Sequence, residues 1–464
     1  MKNARNNAIR IWRAGVDAVR SERLVSDAVQ LKDQKLFVQG RCFPLPRQGR
    51  LVVVGAGKAG AGMAVGLETA LASWPATIPR CGWVNVPADC VQPTDWIQLH
   101  PARPPGINSP TPEAVAGTQH VLDLASNLDP QDLCLVLISG GGSALLTAPV
   151  EGLSLADKQQ VTRWLSEHGA TIEELNCVRR SLSRIKGGGL LRACSAGTIV
   201  PLVISDVIGD PLATIASGPL IPNPTTAVDA LIVLQRFAPD HSSVPETVWR
   251  VLERRAVALS TKASLRSSGS QPGSKAWSES PRTEPEHFII GNNRTACEAA
   301  AEEAERCGYE VVAIRPDERG IAREVGVQFL QELKRLREDS VASRPCCLIT
   351  GGEPVVELAR TDQHRRGGRN QELVLAALCA AWDVGLDRIT LLSGGTDGED
   401  GPTDAAGAVV DSEILLRARD QGLNPNCFLA INNSFSFWEQ VGGLLRTGPT
   451  QTNVMDLRVG LVAR

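Results

Sequence analysis

The sequence predicts an α/β protein in which helices cover largely parallel sheets. Three observations carry that expectation. Short apolar runs of strand length alternate with amphipathic segments of helical period along the whole chain. Several of those runs pass directly into glycine-rich turns, and one Ser/Gly/Pro-rich stretch near the middle divides the chain.

The apolar runs lie at residues 51–54, 133–138, 199–204, 288–290, 310–314, 346–350, 389–393 and 457–462. The helical segments lie at 59–72, 114–124, 157–168, 294–307, 321–338 and 371–382. Such alternation builds βαβ units, whose strands are buried on both faces and therefore read as continuous apolar runs. Residues 260–285 carry few large apolar side chains beyond Trp277 and cannot bury enough surface to offset chain entropy. They read as a linker or insertion. The expected division is therefore a first domain at 1–258, a linker at 259–286 and a second domain at 287–464.

Bulk properties exclude several classes. A formal charge of −3 gives no electrostatic basis for nucleic-acid binding. No window is apolar enough to span a bilayer. The 12 cysteines are scattered without a C-x-x-C pair, so they read as reduced packing thiols. The 6 histidines form no zinc pattern. Residues 1–25 are Arg-rich and weakly amphipathic, but Asp17 and Glu22 interrupt any presequence character. An N-terminal helix and a cytoplasmic location are the expectation. With 4% aromatics and 43 glycines, a loop-built site fits better than an aromatic pocket.

Glycine-rich turns follow the strands. Gly55-Ala56-Gly57-Lys58-Ala59-Gly60 matches G-x-G-x-x-G, with Gly55 and Gly57 placed to let backbone amides face an anion. Lys58 inside the turn suits phosphate, and no ribose-binding acid follows at dinucleotide spacing. Ser139-Gly140-Gly141-Gly142-Ser143, Thr350-Gly351-Gly352-Glu353 and Ser393-Gly394-Gly395-Thr396-Asp397-Gly398 each follow a strand. Together they suggest a shared anion-binding region beyond the strand ends.

Charged residues complete the set. Asp206 and Asp210, after the run 199–204, can hold Mg²⁺ or accept a hydroxyl proton, and equally can cap a turn. Arg369 follows two glycines at a helix start, where the dipole disfavours a cation unless an anion is present. Arg365 and Arg366 read as solvated. Asp397, Glu399, Asp400 and Asp404 crowd one loop, where metal coordination is possible without EF-hand spacing. Residues 447–453 offer hydroxyls and an amide suited to a polyol or carboxylate.

In order along the chain, GAGKAGAGMA, LISGGGSALL, ELNCVRRSLSRIKGG, SDVIGDPLATIASGP, GGRNQELVLAAL, SGGTDGEDGPTDAAGAVVD and TGPTQTNVMDLRVGLV resemble the glycerate 2-kinases of MOFRL type. Some members of that family are labelled hydroxypyruvate reductase. The resemblance implies two α/β domains with Rossmann-like sheets and an active site in the cleft between them. It implies ATP- and Mg²⁺-dependent phosphorylation of D-glycerate at the 2-hydroxyl, by a monomer or homodimer. Lys58 and Arg369 match the positions implicated in catalysis, and Arg179, Arg184 and Lys186 look like further anion contacts. This chain departs from the family at His100-Pro101-Ala102-Arg103-Pro104-Pro105, where H-P-x-P-D is usual, and at Gly351-Gly352-Glu353-Pro354-Val355 and Asn432-Asn433-Ser434-Phe435.

On this reading, nucleotide phosphates and Mg²⁺ meet Gly140, Gly141, Gly142 and Ser143 together with Gly394, Gly395 and Thr396. Asp206, Asp210 and Asp397 are the metal candidates, and Asp206 is either metal ligand or general base. An NAD(P)H-dependent hydroxypyruvate reductase and a non-catalytic anion sensor stand as alternatives.

Overall fold

Buried apolar runs pair into sheets because that satisfies every backbone group away from water. Leu51–Ala56 and Leu133–Ile138, buried at every position, form the centre of a six-stranded sheet. Its order is Ile97–Arg103, Arg80–Pro87, Leu51–Ala56, Leu133–Ile138, Thr198–Ile204, Phe288–Gly291, and its first five strands pair in parallel. Arg80–Pro87 and Ile97–Arg103 were not anticipated, since Gly82, Asn85 and Pro101 interrupt the apolar pattern. Pro101 is tolerated because its strand lies at the sheet edge.

The computed structural model describes residues 2–105, 109–267, 283–338 and 344–463. The chain forms two compact units that do not follow its linear order. Unit A comprises Val25–Val203 and Pro211–Ile290, and unit B comprises Met1–Leu24, Ile204–Asp210 and Gly291–Arg464. The helix Glu246–Ser267 runs through the expected boundary at residue 258, and residues 268–282 of the expected linker lie outside the described residues.

Unit A holds the first sheet and a cluster of helices built on Val161, Leu165, Val178, Leu234 and Val248. Capping boxes at Ser154/Asp157 and Thr171/Glu174 begin the helices Leu155–Glu167 and Ile172–Ser181. Three short strands from Val29 to Pro44 form an antiparallel meander, turning at Asp33 and Gln34 with φ of 49° and 56°.

Unit B departs from the expected largely parallel arrangement. Its sheet order is Glu310–Glu318, Cys346–Gly352, Asp456–Val462, Ile389–Gly395, Gly407–Val410, Leu444–Leu445. The first pair is parallel and the other ladders are antiparallel. The strand Asp456–Val462 inserts between two strands that both run opposite to it. An apolar run carries no direction in its composition, so only pairing decides this.

The helix Lys2–Ala18 belongs to unit B. Its stripe Ala8, Ile11, Trp12 and Val16 enters that unit's core, and Trp12 Nε1 donates to the Gly394 carbonyl at 3.2 Å. All 12 cysteines are free thiols. No helix among the described residues is long and apolar enough to cross a membrane.

Candidate active site

In unit A, the first glycine turn is shaped by contact. Gly57 takes φ 152°, and a Cβ on it would overlap Ser139 Oγ. Gly57 N–H donates to Asn85 O at 3.2 Å, Lys58 N–H to Gly140 O at 2.8 Å, and Ala59 N–H to Ser139 Oγ at 3.0 Å. Gly60 N–H donates back to Gly57 O at 3.1 Å. The amides from Gly57 to Gly60 are thus committed to internal bonds. The turn locks onto the neighbouring loop and directs the Lys58 stem across Gly141. A Cβ on Gly141 would stand 3.1 Å from Lys58 Cγ and 3.8 Å from Arg103 Nη2.

Beside that loop is a cavity of about 630 Å³, lined among others by Arg103, Gly141, Ser143, Lys158, Arg179 and Lys186. Ser143 Oγ accepts from Arg179 Nη2 at 2.5 Å and Lys186 Nζ at 2.6 Å, and lies 2.9 Å from Ser217 Oγ. Lys186 Nζ also donates to Ser143 O at 2.7 Å. Burial, then the charges of Arg179, Lys158 and Arg180, holds the Lys186 amine well below its ordinary pKa. Burial and Arg179 push Lys158 down to about 7. Clustered cations in a low-dielectric wall make an environment that an anion relieves.

Two of the three expected further contacts, Arg179 and Lys186, meet here. Arg184 does not: it is exposed and donates to Gln119 Oε1 at 2.7 Å. Lys158 was missed, yet the sequence carried a signal. It occupies the apolar stripe of its helix, with Val161 and Leu165 as the other buried positions.

In unit B, Arg369 opens the helix Arg369–Ala381. Its Nε and Nη2 meet Asp456 Oδ2 and Oδ1 at 2.7 and 3.0 Å, and Nη1 meets Glu353 Oε1 at 3.0 Å. The Asp400 carboxylate caps the same helix, accepting from Asn370 N–H at 3.0 Å and Gln371 N–H at 2.8 Å. The anion inferred from the helix dipole is thus supplied internally. Burial opposes the charge on Arg369, but Asp456, Glu353 and Asp400 hold its pKa above the ordinary value. Burial pushes Asp400 up to about 7 despite its two N–H donors. Asp456 was not anticipated, because its pairing joins the last strand to a helix 87 residues earlier, and Asp400, expected as one acid of a possible metal loop, caps that helix.

A cavity of about 690 Å³ lies against this pair, lined among others by Glu353, Val355, Arg365, Arg369, Glu372 and Asn432. Arg365, expected on a solvated face, instead donates to Ala359 O at 2.6 Å and lines the cavity. Glu372, almost fully buried, accepts from Arg323 and from Asn432 Nδ2 at 2.8 Å.

Gly394, Gly395 and Thr396, expected at the nucleotide phosphates, are buried. Gly394 lies under the Trp12 indole, and Gly395 N–H donates to Ala406 O. Thr396 Oγ1 donates to Met455 O at 2.7 Å and accepts from Val454 N–H at 2.9 Å. Thr450 and Thr452 likewise donate to carbonyls, of Thr396 and Val19.

Asp206 Oδ2 accepts from Asn453 Nδ2 at 3.4 Å, and Asp210, at φ 53°, accepts from Asn292 Nδ2 at 2.6 Å. Asp397 Oδ1 accepts from Glu399 N–H at 3.1 Å. Among the described residues no group of three or more His, Cys, Asp or Glu is placed to share a metal ion. Asp206, Asp210 and Asp397 therefore do not gather into one protein-built metal site. The half-buried carboxylates of Asp206 and Asp210 do fit a Mg²⁺ held mainly by phosphates and water, which needs only one or two carboxylates.

Comparison with known proteins bears on this geometry. Residues 7–253 match the family described as a domain of unknown function (DUF4147), and residues 346–456 match the MOFRL family. A glycerate kinase of Danio rerio is 35% identical, covering 100% of this chain and 98% of its own. A D-glycerate 2-kinase of Thermotoga maritima is 37% identical over 80% of this chain and 81% of its own. The crystal structure of a glycerate kinase from Thermotoga maritima superposes with a TM-score of 0.79 at 32% identity, over 100% of both chains.

Two outcomes follow from the unit B geometry. Arg369→Lys keeps a charge but cannot grip both oxygens of the buried Asp456, so urea denaturation should show a loss of about 1–3 kcal/mol. Unchanged stability would show that the pair contributes nothing. Asp400 has a folded pKa above that of an unfolded carboxylate, so the native state binds the extra proton between the two values. Its stabilisation is present at low pH and lost as pH rises through about 7. The melting-temperature advantage of wild type over Asp400→Asn should therefore shrink from about pH 5 to about pH 8.

Proposed function

This chain belongs to the glycerate kinase family, and from that membership and the chemistry of its sites we propose that it phosphorylates D-glycerate at the 2-hydroxyl, with ATP as donor. The observation that carries the reading is in unit A, where Lys58, Arg179 and Lys186 surround residues 140–143. A cationic wall of this kind suits a phosphorylated ligand.

In the transfer, the substrate 2-hydroxyl oxygen bonds to the γ-phosphorus and the bond to the β,γ-bridging oxygen breaks. The hydroxyl proton leaves to a base, and ADP departs. Catalysis of this kind rests on positioning and charge stabilisation. Lys58, whose backbone is fixed by Gly140 and whose stem crosses Gly141, is the group assigned to the transferring phosphoryl. Arg369 is assigned to the substrate carboxylate. Its Nε and Nη2 are held by Asp456, whereas the Nη1 edge faces Glu353, a side chain 48% exposed. Asp206 is the candidate base or Mg²⁺ ligand, and Asp210, four residues on in the chain, is a second metal candidate. Mg²⁺, when bound, supplies charge neutralisation on the phosphates.

The reductase alternative is weakened by the first glycine turn. Its amides from Gly57 to Gly60 are spent on internal bonds and leave no pyrophosphate cradle of the dinucleotide kind.

Purified protein should consume ATP only with both D-glycerate and Mg²⁺ present, and release 2-phosphoglycerate. Formation of 3-phosphoglycerate would refute the regiochemistry, and NADH oxidation with hydroxypyruvate would revive the reductase. Lys58→Ala should lower kcat by roughly 10²–10³ while leaving the melting temperature nearly unchanged. Near-wild-type turnover would reduce Lys58 to a structural role.

A further inference from the structure

We propose that Lys158 is a nucleotide-binding residue, completing with Arg103, Arg179 and Lys186 a site in unit A that grips the triphosphate. The proposal rests on the kinase reading and extends it to a residue outside the glycine loops.

Lys158 is 4% exposed, and among the described residues its Nζ has no hydrogen-bond partner. It nevertheless lines the 630 Å³ cavity. A buried ammonium with no acceptor is costly, and here its charged neighbours add to the cost instead of relieving it. Arg179 acts on it directly, and Lys186 feels its charge in turn. The groups lining the cavity from other elements are Arg103, Arg179 and Lys186, while its own helix adds Arg163 and Glu167, both exposed. Among the described residues no buried carboxylate lines it.

Ligand chemistry follows from charge and size. The carboxylate of a three-carbon acid needs one cation, and it would leave most of this wall uncompensated. A triphosphate spreads several charges over many oxygens and can meet each cation separately. The volume lies inside the range of about 300–1,000 Å³ usual for small-molecule sites, more than glycerate requires. Ser109, Gln159 and Ser166 line the remainder and offer hydrogen bonds to a nucleoside. Burial and Arg179 lower the Lys158 pKa to about 7 without ligand, and an arriving phosphate favours its charged form.

The test is titration calorimetry of the full-length protein with ATP and with inorganic tripolyphosphate, beside steady-state kinetics. Lys158→Met should bind ATP about 10–100-fold more weakly, the equivalent of one lost charge-assisted hydrogen bond. KM for glycerate should stay within about twofold, since uniform binding to the acid is untouched. Tripolyphosphate should displace ATP from the wild type, and Lys158→Arg should retain most of the affinity. Equal ATP affinity in Lys158→Met overturns the proposal, as does a rise in KM for glycerate alone, which would assign the pocket to the acid. Should Lys158→Met fail to fold, wild-type ATP binding that tripolyphosphate cannot displace overturns it instead. Absence of glycerate phosphorylation by the wild type would refute the kinase reading and leave the binding test standing.

Discussion

Carrying a cation into a protein interior demands an anion, a hydrogen-bond acceptor or the loss of a proton. Unit A meets that demand only in part. Lys186 gives its donors to Ser143 and Ser217, Arg179 gives one to Ser143, and Lys158 gives none among the described residues. The positions of the loop 140–143, the start of the helix Leu155–Glu167 and the end of the helix Ile172–Ser181 all follow from where those ammonium and guanidinium groups are held. A helical cluster of Val161, Leu165, Val178 and Leu234 keeps them there against their mutual repulsion.

Unit B solves the same problem in the opposite way. Arg369 is neutralised by Asp456 and Glu353, and the helix it begins is capped by Asp400. The guanidinium of Arg369 is thus paired on two edges, with Asp456 and with Glu353. A buried pair of this kind fixes geometry more than it adds stability. It sets the orientation of the guanidinium against the cavity beside it.

Glycine serves both units through close approach. Gly57 admits Ser139, and Gly394 admits the Trp12 indole. Of the glycine-rich turns, the loop at residues 140–143 borders the cavity in unit A, and Glu353, directly after Gly351-Gly352, borders the cavity in unit B.

The sequence by itself determined the α/β class, the eight apolar strands and most of the long helices, because burial and period are local properties. It also determined Lys58 and Arg369 as residues of interest, through a charge placed where glycines and a helix start make charge unusual. Tertiary structure alone decided the strand directions in unit B, because an apolar run is the same read either way. It alone decided that Lys2–Ala18 joins the far end of the chain, and that Arg369 faces Asp456. Which glycine loop meets a cavity was likewise beyond the sequence, since an amide's availability depends on which carbonyl folding brings to it. Lys158 lies between the two. Its place in an apolar stripe was written in the sequence, but its cationic neighbours come from another helix and from strand Ile97–Arg103, and only folding brings them together.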